Sequence, residues 1–342
     1  MNKSFNFYKR LPKVDLHRHL EGSMRLKTML EIARTHGITI PIGSDPMSNL
    51  IQVSTNEPDT ISHFLAKPNT LRMFYRSPEI IHRITREAVE DASKDNIIHL
   101  ELRFAPVTLS RAERFPLGEV MDWVCESANK AAMEFGLSVI LIASVNRHES
   151  VELAEQVAWL AASRRGHGIL GLDIAGNETE YSVVPFQDIF KEARQAGLKL
   201  TVHAGESAGA GNVFEALETL EAERIGNGVR VMEDPKTVAV ARERGTPFEV
   251  CLTSNFHNGT VASVHVHPVM KMIEAGLNVN LGSDDPSILQ ITLAKEYQLA
   301  CEELGMDQKI LTERILAAAR ASFLTETEQV TLLEQLHREI II

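Results

Sequence analysis

Residues 169–206, ILGLDIAGNETEYSVVPFQDIFKEARQAGLKLTVHAGE, decide the fold. A short β-rich run, ILGLDIAG, leads into VPFQDIFKEARQAG, whose apolar residues recur at helical spacing and which ends on a glycine suited to capping. A second β-rich run, KLTVHAGE, follows at once. Strand, helix and strand in this order imply two parallel strands joined by a crossover helix. The alternation continues on both sides. Further β-rich runs are VDLHRHL (14–20), IIHLELRFAP (97–106), LSVILIASV (137–145), RIGNGVRV (224–231), PFEVCLTSN (247–255) and NVNLGSDDP (278–286). Helical stretches such as LGEVMDWVCESANKAAMEFG and ESVELAEQVAWLAASRRG separate them. Eight such units in a chain longer than about 250 residues favour a closed (β/α)8 TIM barrel, with an open doubly wound sheet as the alternative.

The gap between the first two runs is too long for a single helix, and RLKTMLEIARTHG and SPEIIHRITREAVEDASK both have helical spacing within it. The expected organisation is one barrel domain over residues 1–342, with a helical insertion at about 23–92 lying over the C-terminal mouth. No repeat, low-complexity tract or Gly/Ser linker divides the chain.

Composition narrows the function. The 342 residues are 44% apolar and 24% charged, an ordinary globular balance. A formal net charge of −11 argues against nucleic acid or a membrane surface as the main partner, since both are polyanionic. The three cysteines, Cys125, Cys251 and Cys301, are widely spaced without a CxxC pair, so neither a disulfide framework nor a thiolate zinc cluster is indicated. MNKSFNFYKR lacks the apolar core of a signal peptide, and no run is long enough to span a bilayer. A cytoplasmic protein is expected.

In such a barrel the active site forms at the C-terminal ends of the strands, and the ionisable residues fall there. His17 and His19 end the first run, His203 and Glu206 the fifth, Asn227 lies in the sixth, and Asp284 with Asp285 closes the eighth. His17 and His19 are two apart, so alternation sends both side chains to one face. H-x-H alone is weak, because His265 and His267 repeat it beside Pro268. GESAGAG lacks the spacing and lysine of a phosphate-binding loop. The two aspartates fit an Asx turn before Pro286 as well as a cation site. Three imidazoles and one carboxylate would suit Zn2+, with Fe, Mn or Co compatible on ligand type. An open coordination position would then activate water, with Glu206 free for proton transfer.

LPKVDLHRHLEGS, GLDIAGNE, TVHAGES, ERIGNGVR and GSDDPSI, in this order from Leu11 to about Phe323, resemble the adenosine deaminase family of the metal-dependent amidohydrolases. The resemblance implies a (β/α)8 barrel in which zinc-activated water attacks C6 of an adenine ring and ammonia is released. It implies His17, His19, His203 and Asp284 as ligands of one zinc. Glu206 would protonate ring N1 and pass the proton to the leaving amine. Asp285 would contact N7, the Gly176 backbone N3, and Glu21, beside the ligand His19, the sugar hydroxyl at C5′. Glu21 stands where animal members have Asp, which leaves the sugar open. No PCxxC pair of the cytidine-type zinc deaminases is present.

The chain departs from that pattern at one position. Where the family has RIGHG, this chain has RIGNG, with Asn227 in place of the histidine beside the attacking water. An amide can donate a hydrogen bond but cannot carry a proton. Reduced turnover is therefore expected, by about 10²-fold or more. Deliberate replacement, drift towards weak activity or pure binding, and a substrate that needs no histidine are three accounts of it; His257 is a candidate to substitute. In the insertion, Phe64, Leu65 and Phe74 are candidates to cover the sugar. The expected partner is a small purine nucleoside, adenosine or a 5′-modified adenosine. The alternatives are another aminopurine, a non-catalytic purine-binding role, and an amidohydrolase opening a different C–N bond.

Overall fold

In the computed structural model of the chain, residues 4–39, 46–54 and 60–340 are described, apart from the side chains of a few helix positions, Leu65 among them. Eight strands are present: β1 Lys13–His19, β2 Ile97–Phe104, β3 Ser138–Asn146, β4 Ile169–Ala175, β5 Lys199–Ala204, β6 Arg224–Asn227, β7 Pro247–Val250 and β8 Asn278–Leu281. They lie side by side in chain order, every adjacent pair parallel, as crossover helices on the outside require. The helix Gln187–Gln195 of the opening quotation is one of these, and it buries Ile189, Phe190 and Ala193.

The ring closes between β8 and β1 beyond the last residue of β8. His19 N–H donates to the Asp284 carbonyl at 2.8 Å, and Asp284 N–H donates to the His17 carbonyl at 2.7 Å. Arg18 and Asp284 form a parallel bridge there. Ser283 Oγ donates to Asp15 Oδ2 at 2.6 Å, adding a side-chain tie across the same seam. These bonds make an eight-stranded (β/α)8 TIM barrel of what would otherwise be an open sheet.

Three strands are shorter than the sequence suggests. β6, β7 and β8 have four residues each, and the polar ends of the corresponding runs lie beyond them. The physical reason is local: Asn227 at the end of β6 and Asp284 beyond β8 have φ of 61° and 57°, the left-handed region, which turns the chain out of extended geometry, and β7 stops where Cys251 leads into the helix Leu252–His257. Between β1 and β2 come the helices Leu26–His36, Pro46–Ile51, Ile61–Leu71 and Pro78–Lys94, the last packing on β2 and on the helix Leu117–Phe135.

Apolar side chains such as Val14, Leu16, Leu102, Ile174 and Val202 are fully buried in the core. The barrel also encloses charges. Arg103 Nη2 donates to Glu249 Oε2 at 2.7 Å, Arg224 Nε lies 2.6 Å from Glu249 Oε1, and Arg224 Nη2 donates to Glu101 Oε2 at 2.5 Å. All four residues are fully buried or within 1% of it, so each charge depends on its partners for solvation.

Candidate active site

The candidate site is built where the strands end. β1 supplies His17 and His19, β5 supplies His203, and the turn after β8 supplies Asp284. The three imidazoles offer ring nitrogens that all lie within 4.8 Å of one another. Asp284 Oδ1 stands 3.4 Å from His17 Nε2 and 3.3 Å from His19 Nε2. Four residues separated in sequence thus converge on one point.

Carboxylates behind the rings fix which nitrogen faces that point. Glu249 Oε2 is 2.7 Å from His17 Nδ1, and Asp173 Oδ1 is 3.0 Å from His203 Nδ1. Each therefore accepts a hydrogen bond from Nδ1–H of a neutral ring and leaves Nε2 as a lone pair turned inwards, the arrangement that orients imidazoles for metal binding. His17 Nε2 is buried without a hydrogen-bond partner. A buried lone pair in that condition, beside two more imidazoles and a carboxylate, fits a divalent cation of the Zn2+ type. Space is kept for the rings by Gly226, where a Cβ would fall 3.0 Å from His17 Cε1 and 3.3 Å from His203 Cγ. Cys251 also approaches His17 and Asp284, and its thiol is pushed well above its ordinary range by burial and neighbouring carboxylates.

Above the cluster opens a cavity of about 510 Å³, lined by His19, Glu21, Phe64, Gly176, His203, Glu206, Asn227, Asp284 and Asp285 among others. This volume lies in the range of small-molecule sites. Glu206 is presented by a tight turn after β5. The buried carboxylate of Glu178 accepts the backbone N–H groups of Gly205, Glu206 and Ser207 at 2.8, 2.6 and 2.7 Å. Asn258 Nδ2 donates to Glu206 Oε1 at 2.6 Å. Burial, then the charges of Asp284 and Glu178, push the Glu206 carboxyl up to about 8. Burial and the neighbouring carboxylates of Asp284, Glu21 and Glu206 likewise push Asp285 well up.

The remaining candidates are placed as follows. Glu21 is buried, accepts the Ala105 N–H on Oε1 at 2.7 Å, and is pushed up to about 7 chiefly by burial. Gly176 has φ of 103°, a conformation open to glycine, and its backbone borders the cavity. Phe64 is buried at the cavity wall, whereas Phe74 is wholly within the core and the Leu65 side chain lies outside the described residues. His257 is not among the cavity-lining residues. His265 and His267 do not act as a pair: His265 is exposed near Glu303, and His267 is buried against Asn255.

Asn227 is fully buried at the end of β6. Its Oδ1 accepts from Asn255 Nδ2 at 2.9 Å, and its Nδ2 has no partner. Sequence reasoning did not find Asp173, Glu249, Glu178 or Asn255. The signal available for the first two was a lone acid inside an apolar strand, GLDIA and PFEVC, which is costly to bury unless it is paired.

The chain is similar to known proteins along nearly its whole length. The adenosine deaminase family model matches residues 12–339. An adenosine deaminase of Klebsiella pneumoniae is 34% identical over 327 residues, covering 95% of this chain and 97% of that one. Among solved structures, an Arabidopsis N6-mAMP deaminase superposes with a TM-score of 0.86 at 25% identity, covering 97% of this chain and 99% of that one. A Burkholderia ambifaria amidohydrolase with bound Zn gives 0.90 at 24% identity, covering 98% and 92%, which speaks to the fold. A family match over nearly the whole length, on a barrel whose mouth gathers these side chains, places the chain in the adenosine deaminase family, hydrolases that act on a C–N bond.

Proposed function

We propose that the chain hydrolytically deaminates a purine, adenosine or a 5′-modified adenosine, giving the inosine-type product and ammonia. The observation that carries this reading is the convergence of His17, His19, His203 and Asp284 beneath a cavity that Glu206 also lines. The names of its relatives, an adenosine deaminase and an N6-mAMP deaminase, support an aminopurine substrate. These four side chains would hold one Zn2+, other divalent transition metals suiting the same donors. Bound there, the cation supplies Lewis-acid activation of water near neutrality.

The protein's own groups do the rest. Glu206, with its proton retained by burial and neighbouring carboxylates, delivers it to ring N1 and then to the departing amine. Asp285 faces N7, the Gly176 backbone faces N3, and Glu21 meets the sugar at C5′. Phe64, at the cavity wall, covers the sugar or the 5′ substituent. Among the described residues no helix is long and apolar enough to cross a membrane, and Cys125, Cys251 and Cys301 form no disulfide, as a reducing cytoplasm would allow.

Asn227 favours a second reading, a weakly active or purely purine-binding member of the family, because its amide accepts no proton. One experiment addresses both. Purified protein is assayed for metal, then for loss of adenosine absorbance with added Zn2+ and in a chelated control. Metal-dependent inosine formation supports deamination. Inosine formation that persists after complete metal removal refutes the metal-dependent mechanism, and tight inosine binding without turnover supports the second reading.

A further inference from the structure

The orientation of the Asn227 amide is set by a row of hydrogen bonds that begins at a backbone group. Val269 N–H donates to His267 Nδ1 at 3.1 Å. A backbone nitrogen cannot accept, so the neutral ring must carry its proton on Nε2. Burial keeps that ring neutral, lowering its pKa to about 3. His267 Nε2 lies 3.1 Å from Asn255 Oδ1, which accepts its proton. Asn255 then turns Nδ2 the other way and donates to Asn227 Oδ1 at 2.9 Å. Reversing either amide would set two donors face to face. The row ends at Asn227 Nδ2, which is buried, has no partner, and belongs to a residue lining the catalytic cavity.

We propose that Asn255 and His267 are positioning residues that lock Asn227 as an obligate hydrogen-bond donor to the oxygen adding to the purine ring. This rests on the deaminase reading of the same site. The consequence is a division of labour: Asn227 stabilises negative charge on that oxygen, and proton transfer there falls to Glu206. Neither Asn255 nor His267 lines the cavity, so both act through Asn227.

Asn255→Asp inverts the row without changing its shape. The new carboxylate still accepts from His267 Nε2, but it offers a second acceptor to Asn227. The amide must then turn Nδ2 towards it and present Oδ1 to the cavity. Loss of a preorganised donor costs about 10²–10³-fold in kcat. The expected result is a fall of that size with KM for adenosine within about threefold, a split that general loosening of the site would not give. A kcat within twofold of wild type overturns the proposal.

A second readout does not depend on turnover. In Asn227→His, Asn255 Nδ2 donates to the introduced ring, so its cavity-facing nitrogen keeps the proton. In Asn227→His combined with Asn255→Asp, the carboxylate takes that proton and the cavity-facing nitrogen becomes bare. Nitrogen-15 shifts of the introduced histidine in folded, Zn2+-loaded protein should report opposite tautomers in the two variants. The same tautomer in both overturns the proposal. Should wild type turn over no aminopurine, the deaminase reading fails while this pair of spectra still decides the positioning.

Discussion

Replacing Glu249 by glutamine tests whether the barrel's enclosed charges hold the site in place. Glu249 Oε2 takes hydrogen bonds from His17 Nδ1 and Arg103 Nη2, both at 2.7 Å, and Oε1 stands 2.6 Å from Arg224 Nε. Glutamine keeps the shape but turns an NH2 group towards one of these donors and removes the negative charge between two buried arginines. Breaking a buried ion pair from one side costs about 3–5 kcal/mol. An unfolding entropy of roughly 2.1 cal/mol/K per residue gives about 0.7 kcal/mol/K for a chain of this length, so Tm should fall by about 4–7 °C. His17 loses its orienting carboxylate at the same time, and affinity for Zn2+ should weaken about 10–100-fold. Calorimetry of metal-free protein measures the first effect and competition with a chromogenic chelator the second. A Tm within 1 °C of wild type together with unchanged metal affinity would refute this account of the enclosed charges.

On the proposed deaminase reading, in which Glu206 would carry the proton, Glu206→Gln should lower kcat for adenosine about 10²–10⁴-fold while inosine binding persists, checked by steady-state assay and calorimetric titration. At Gly22 a Cβ would fall 1.8 Å from Asp285 Oδ1, so Gly22→Ala must displace that carboxyl. On the same reading, losing the hydrogen bond proposed between Asp285 and the purine should reduce kcat/KM about 10–100-fold with Zn2+ content unchanged. The buried His267, lowered to about 3, gives a pH signature. As pH falls through 6.5 the unfolded chain takes up a proton that the native ring refuses, so this contribution is fully present above 6.5 and is lost below it. Stability should drop by about 1.3 kcal/mol more between pH 7 and 5.5 in wild type than in His267→Gln, measured by urea unfolding. Equal losses in the two proteins would contradict it.

What the sequence disclosed follows from periodicity. Strand-and-helix alternation indicated the barrel because parallel strands buried on both sides are near-continuous apolar runs, as in LSVILIASV. His17, His19, His203 and Asp284 stood out because polar residues at strand ends interrupt such runs, and the structure brings the four together. The supports behind them were harder to see. Asp173 and Glu249 are buried inside β4 and β7, and only the closed ring shows which imidazole each one faces. Asn255 and His267 are joined across a loop with no periodicity to announce it. Strand ends were misjudged at Asn227 and Asp284 because positive φ at a non-glycine residue is set by surrounding bonds rather than by local preference.

The seam where the last strand meets the first runs through His17, His19 and Asp284, whose main chains bond one another directly. Contacts so distant along the chain are the slowest to form, and here they are the same ones that complete the donor set. During synthesis the early histidines emerge long before their aspartate partner leaves the ribosome. A nascent chain therefore cannot bring the four donors together until Asp284 has emerged, and any cation they hold would be enclosed only after that point.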